Sequence, residues 1–172
     1  MMTKRDKVLQ LLNDLNIAFH MHEHPPVPTV EDAMQYWDLI DATHCKNLFF
    51  RNHKGNRHYL VILRADRQLN IRDLEQRLRQ GKISFASPKR MHKYLDLEAG
   101  SVSLFGLIND EENHVRVFLD KALEEVEKIS FHPNENTASC VISGKDFRRF
   151  LDWCGNSYEF IQLYDQPLEP NQ

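Results

Sequence analysis

The 172-residue sequence lacks the marks of several large protein classes. No apolar run approaches the roughly 20 residues that a membrane-spanning helix needs. The opening Met1-Met2-Thr3-Lys4-Arg5-Asp6 has no apolar stretch behind it, so no secretory signal is expected. Cysteine is scarce: Cys45, Cys140 and Cys154 are odd in number, far apart and contain no CxxC pair. That argues against a disulfide framework and a structural zinc site, and fits a reducing cytoplasm. Neither common glycine-rich phosphate loop is present, nor HExxH, nor a GxSxG elbow, which disfavours nucleotide hydrolases, zinc proteases and α/β-hydrolases. Repeats, low-complexity segments and linkers are also missing. One domain over residues 1–165, with a loose tail over 166–172, is the expected organisation.

Charge is present but unevenly spread. The net charge of −3 does not advertise a nucleic-acid binder. Yet the stretch from Arg64 to Lys93 carries a local balance of +6, and the stretch from Tyr94 to Glu127 one of −7. One end could meet phosphates while the other stays solvated; two solvated helix faces would look the same.

Val8, Leu11, Leu12 and Leu15 fall at helical spacing, and Ile17 to His24 alternates as a strand that the following prolines stop. Thr29, with Asp32 three residues on, caps a short helix to about Tyr36. Lys46–Asn52 and Arg57–Leu63 read as a hairpin turning at Gly55. Ile71–Leu78 reads as a basic helix, Ile83–Phe85 as a strand, and Pro88–Leu95 as a helix. Phe105–Ile108 and Val115–Leu119 are expected to pair across an Asn109-Asp110 turn. Ile129–Phe131, Ala138–Ile142 and Phe160–Leu163 complete the strands, with a helix over Lys145–Trp153. Short hairpins among interspersed helices predict an α+β fold with a mixed, mostly antiparallel sheet.

Four groups of residues could carry chemistry. His20, His22 and His24 would share one face of a strand, as a metal comb or, better supported without carboxylates or cysteines nearby, as a polar face. Lys46 opens an apolar strand, where partial desolvation strengthens an ammonium's pull on a substrate oxygen; a gatekeeper lysine would occupy the same place. The loop from Phe131 to Thr137 offers an imidazole, amides and a hydroxyl, or is an Asn-rich turn. Ser87, before Pro88, either binds an oxyanion together with helix-start N–H groups or simply caps the helix.

Taken together, Glu23-His24-Pro25-Pro26-Val27, Cys45-Lys46-Asn47-Leu48-Phe49, Ser84-Phe85-Ala86-Ser87-Pro88, Gly100-Ser101-Val102, Leu107-Ile108-Asn109-Asp110, Phe131-His132-Pro133-Asn134 and Asn136-Thr137-Ala138 resemble the YbaK/prolyl-tRNA-synthetase-associated editing superfamily. The likeness runs from about His22 to Leu163 and is greatest to freestanding members that deacylate Ala-tRNA(Pro). It implies a mixed, partly barrel-like sheet wrapped by helices, and hydrolysis of an aminoacyl-tRNA ester without metal or cofactor. Its implied partners are the tRNA(Pro) acceptor end and prolyl-tRNA synthetase, with no membrane or DNA. Lys46 matches the family's near-hallmark lysine and Asn47 its neighbour. Ser87, His132 and Asn136 match crevice-lining positions. Gly100 and Ser101 open the GxxxP element, whose backbone contacts the aminoacyl group; Leu104 stands where that pattern has proline.

On this reading Lys46 orients the substrate while water attacks, and Val30, Met34 and Phe50 wall a small amino-acid pocket. Lys82, Lys89 and Arg90 would face the acceptor stem. Deacylation of Cys- or Ser-charged tRNA, and a non-catalytic tRNA- or synthetase-binding module, are the alternatives.

Overall fold

The computed structural model describes residues 1–27 and 29–165; the tail expected over 166–172 lies outside the described residues. Helix α1, Lys4–Asp14, starts at a reciprocal cap between Thr3 and Asp6 and buries Val8 and Leu12. Strand β1 is His20–Glu23, shorter than the alternation predicts. Helix α2, Val30–Trp37, starts where Thr29 accepts the Asp32 N–H. The hairpin strands are β2, Thr43–Asn52, and β3, His58–Arg64. Helix α3, Ile71–Leu78, strand β4, Ile83–Phe85, and helix α4, Pro88–Leu95, follow with the expected bounds. The remaining elements are β5, Arg116–Asp120, β6, Lys128–Phe131, β7, Ala138–Ser143, α5, Gly144–Cys154, and β8, Tyr158–Ile161.

Among the described residues, one sheet holds all eight strands in the order β1-β7-β6-β2-β3-β5-β8, with β4 also on β2. Four pairings are antiparallel and three, β2–β6, β3–β5 and β5–β8, are parallel. The sheet curls. Phe147 of α5 lies 5.7 Å from the Phe131 ring on β6 and 6.3 Å from the Phe160 ring on β8. A flat sheet would put those two strands roughly 19 Å apart. Strand β3 is buried on both faces: Leu60 and Ile62 join the core with α1 and α5, while Tyr59, Val61 and Leu63 pack with Leu74 and Leu78 of α3. That double burial explains its unbroken apolar sequence.

One expected pairing is absent. Leu104–Asn109 is a 3₁₀ helix, and β5 pairs in parallel with β3 and β8 instead. A short, fully buried apolar run does not reveal its period in sequence. Three hydrogen bonds decide against a strand here. Ser103 Oγ accepts the Phe105 N–H, and the Asp110 carboxylate accepts the N–H groups of His114 and Val115, ending the expected turn.

The hairpin tip is pinned to α4. Arg90 Nη1 donates to the Gly55 carbonyl at 2.9 Å and lies 3.0 Å from His58 Nε2, which therefore accepts. His58 Nδ1–H then donates to His114 Nε2 at 2.9 Å. Burial, with His114 and Arg90 beside it, pushes the His58 pKa down to about 4. The unfolded chain thus takes up this proton first. The contribution is fully present above the ordinary histidine value near 6.5 and is lost as pH falls towards the folded value, by up to about 3 kcal/mol. Urea unfolding across that interval should show the decline, and His58→Gln should flatten it. An unchanged slope in the variant would refute the assignment.

Candidate active site

The site begins as an interruption in the sheet. Strand β6 pairs only with Thr43 and His44 of β2, and β4 only with Phe50, Arg51 and Asn52, both on the edge of β2 away from β3. Among the described residues, Cys45 to Phe49 have β3 on one side and no strand on the other. The direction of their backbone groups follows from the ladder. The His44 carbonyl accepts from Ala65 and the Asn52 N–H donates to Arg57, so even-numbered β2 residues bond β3 and odd-numbered ones face away. Phe49 agrees, its carbonyl accepting the Ala86 N–H at 2.9 Å. The Asn47 N–H, the Asn47 carbonyl and the Phe49 N–H therefore face the gap.

A crevice of about 210 Å³ opens there. Five successive residues, Cys45 to Phe49, line it. Side chains of one strand alternate between faces, so a crevice touching all five runs along the strand's edge. Val27, Val30, Phe85, Met91, Gly100, Val102 and His132 are among its other lining residues. Gly100 has φ +88, a conformation open to glycine at low cost. The Gly100–Leu104 segment is tied to the strand, since the Leu104 N–H donates to Asn47 Oδ1 at 3.1 Å. A proline at position 104 would have no such donor. Ser103 Oγ donates to the His132 carbonyl at 2.7 Å, joining the same segment to another lining residue of the crevice.

His132 presents one defined ring form. Its Nδ1–H donates to the Ala138 carbonyl at 2.9 Å, leaving Nε2 as an acceptor. Burial, reinforced by His24, lowers its pKa and keeps the ring neutral, although the Ala138 bond opposes the shift. The Lys46 ammonium donates to the Arg67 carbonyl at 2.5 Å. From α1, Arg5 reaches Glu23 of β1 and Thr137, bracing the loop that carries His132.

The sequence model of the aminoacyl-tRNA editing domain family matches residues 24–150. The chain belongs to that family. This editing domain is 37% identical over 163 residues to the prolyl-tRNA editing protein ProX of Acetoanaerobium sticklandii, covering 94% of this chain and 99% of that one. It is 33% identical over 156 residues to the mouse prolyl-tRNA synthetase associated domain-containing protein 1, covering 88% and 92%. A solved structure described as a proposed trans-editing enzyme for prolyl-tRNA synthetase superposes with a TM-score of 0.69 at 17% identity, over 94% and 98% of the two chains. That last likeness concerns the fold.

Of the sequence-selected residues, the editing domain brings Lys46, Asn47, Val30, Gly100 and His132 together. Others lie elsewhere. Ser87 caps α4, its Oγ accepting the Arg90 N–H. The Ser101 N–H turns back to Glu98, and the Asn136 carbonyl holds the Val27 N–H, supporting a wall without lining it. Met34 lines a neighbouring depression with Trp37 and His44. Phe50 is wholly buried on the sheet face towards α3. Lys82 and Lys89 are exposed, whereas Arg90 is engaged with Gly55 and His58. His24 of the histidine trio bonds Pro25 and Ser139, and no group of three metal-type ligands forms among the described residues. Phe85, not singled out in the sequence as a site residue, lies on a three-residue strand and is 59% exposed.

Proposed function

We propose that this editing domain acts in trans as a hydrolase on mischarged tRNA(Pro), with Ala-tRNA(Pro) preferred. The observation that carries the reading is the narrow, valine-walled crevice at an uncovered strand edge, with a neutral imidazole at its side. The names of the ProX and mouse relatives point to the same substrate class. An ester is already an activated acyl group, so orientation and well-placed donors suffice for attack by water. The water oxygen adds to the ester carbonyl carbon. The bond from that carbon to the ribose oxygen then breaks, its electron pair staying on the ribose oxygen. The proton released by water ends on that oxygen, giving free alanine and a tRNA with an intact terminal ribose.

In this reading the Lys46 ammonium holds the terminal phosphate, and Val27, Val30 and Val102 exclude the proline ring by clash. The exposed Lys82 and Lys89 face the acceptor stem, and prolyl-tRNA synthetase is the proposed partner that delivers substrate. The test is deacylation of Ala-, Cys-, Ser- and Pro-tRNA(Pro) by the purified chain. Ala-tRNA(Pro) should be cleared at least about tenfold faster than the others, the scale of one well-placed steric contact. Faster clearance of Cys- or Ser-tRNA would reassign the substrate, and no hydrolysis of any would leave a binding module.

A further inference from the structure

Buried backbone donors and acceptors are almost always paired, and in this crevice those of Asn47 have no strand opposite them among the described residues. The uncovered edge from Cys45 to Phe49 is about 17 Å long, and β6 and β4 occupy the same edge on either side of it. Asn47 presents its N–H and its carbonyl in the same direction, as any strand residue does towards an antiparallel partner. A group that filled the gap would therefore need one acceptor and one donor separated as they are in a single amino acid. Phe49 N–H lies roughly 7 Å further along and cannot share the same acceptor atom.

We propose that the aminoacyl group of the substrate docks here as a one-residue strand between β6 and β4. Its α-amino group donates to the Asn47 carbonyl, and its ester carbonyl accepts the Asn47 N–H. This rests on the proposed editing reaction and specifies how that site holds its substrate. The interaction is strand addition reduced to one residue: main-chain bonds supply the grip, and side-chain walls supply the choice. It places the Asn47 N–H where charge develops on the carbonyl oxygen as water adds, so the same bond strengthens towards the transition state. The Asn47 side chain has a separate task, since its Oδ1 holds the Leu104 N–H and with it the Gly100–Leu104 wall.

The two roles of Asn47 can be separated by substitution. Asn47→Ala keeps the backbone N–H and removes the tie to Leu104. Asn47→Pro removes both; because this N–H faces away from β3, no ladder bond is lost, and the preceding Lys46 is already extended. With melting curves compared, Asn47→Pro should have a kcat at least about a hundredfold below that of Asn47→Ala, the usual effect of deleting an oxyanion donor. Equal kcat values would overturn the proposal.

Hydrogen exchange on the unmodified protein reads the contact directly. The probe is 3′-alanylamino-3′-deoxyadenosine, an amide analogue that cannot be hydrolysed as an ester. At saturation it should slow exchange of the Asn47 amide by more than about tenfold, as expected when an unpaired group gains a bond worth ~1.4 kcal/mol or more. If the methyl groups of Val30 and Val102 respond while the Asn47 amide does not, the substrate sits elsewhere in the crevice. Deacylation of Ala-tRNA(Pro) with an unprotected Asn47 amide would remove the docking mode alone. Failure of the unmodified protein to deacylate would remove the reaction itself.

Discussion

Lys46→Ala is expected to lower kcat/KM for Ala-tRNA(Pro) deacylation by roughly ten- to a hundredfold, the equivalent of one charged hydrogen bond of about 1.5–3 kcal/mol. The ammonium already has one partner, the Arg67 carbonyl, which leaves two N–H donors for a phosphate. That carbonyl is held in place from its own side chain outward. The Arg67 guanidinium lies 4.9 Å over the Tyr164 ring, and the Tyr164 hydroxyl donates to buried Asp120. Lys46 is therefore a cation on a fixed tether at the strand edge. A phosphate bound equally in the ground and transition states shifts KM and leaves kcat nearly unchanged. Losing that contact should also reduce the salt dependence of KM by about one unit of slope or slightly less. Lys46→Arg keeps the charge and should keep the slope. Undiminished turnover at low substrate by Lys46→Ala would eliminate the phosphate role. A fall confined to kcat would move Lys46 to the reacting carbonyl.

Much of the architecture was readable where the deciding interactions are local. Thr29 with Asp32, and Ser87 before Pro88, each mark a helix start, and each sits at the start of a helix. The β2–β3 hairpin was legible because Gly55 adopts φ +75 at its tip. Non-local pairing was not legible. Nothing near Arg116–Asp120 says that it will lie between β3 and β8, and the buried run over residues 104–107 has no polar residue to set a period. The site divides in the same way. Lys46, Asn47, Gly100 and His132 were visible as a resemblance, and they converge. Phe49 and Phe50 are neighbours of the same type on a strand buried on both faces, so only the register decides which one meets the crevice. Arg90 looks like a surface cation in sequence because the carbonyl it serves, Gly55, is 35 residues away. The strand-edge gap itself depends on where β6 and β4 stop, which no residue of β2 encodes.

Gly144→Ala should be the most damaging of the single-atom additions to the fold. A Cβ at this position would lie 1.8 Å from the Val126 carbonyl oxygen and 3.0 Å from its carbon. A backbone carbonyl cannot swing aside as the end of a side chain can. Nor can α5 retreat easily, because the Gly144 N–H donates to Glu127 at 2.8 Å and Phe147, Phe150 and Leu151 are buried in the core. Overpacking of this kind costs about 3 kcal/mol. For a chain of this size that lowers Tm by roughly 6–12 °C. Gly81→Ala is the informative contrast: nothing lies within 4 Å of its added Cβ, and only its φ of +81 resists, a cost of about 1 kcal/mol. Thermal and urea unfolding of the two variants should therefore differ severalfold in effect. A Gly144→Ala protein within about 1 kcal/mol of the unmodified chain would show that the β6–α5 region yields more readily than its contacts imply. The position also bears on the site. Phe147 lies against Phe131, the residue before His132, so a displaced α5 disturbs the crevice wall as well as the core. Deacylation by Gly144→Ala should then fall even at temperatures where the variant remains folded, whereas Gly81→Ala, in the turn after α3, should leave turnover intact.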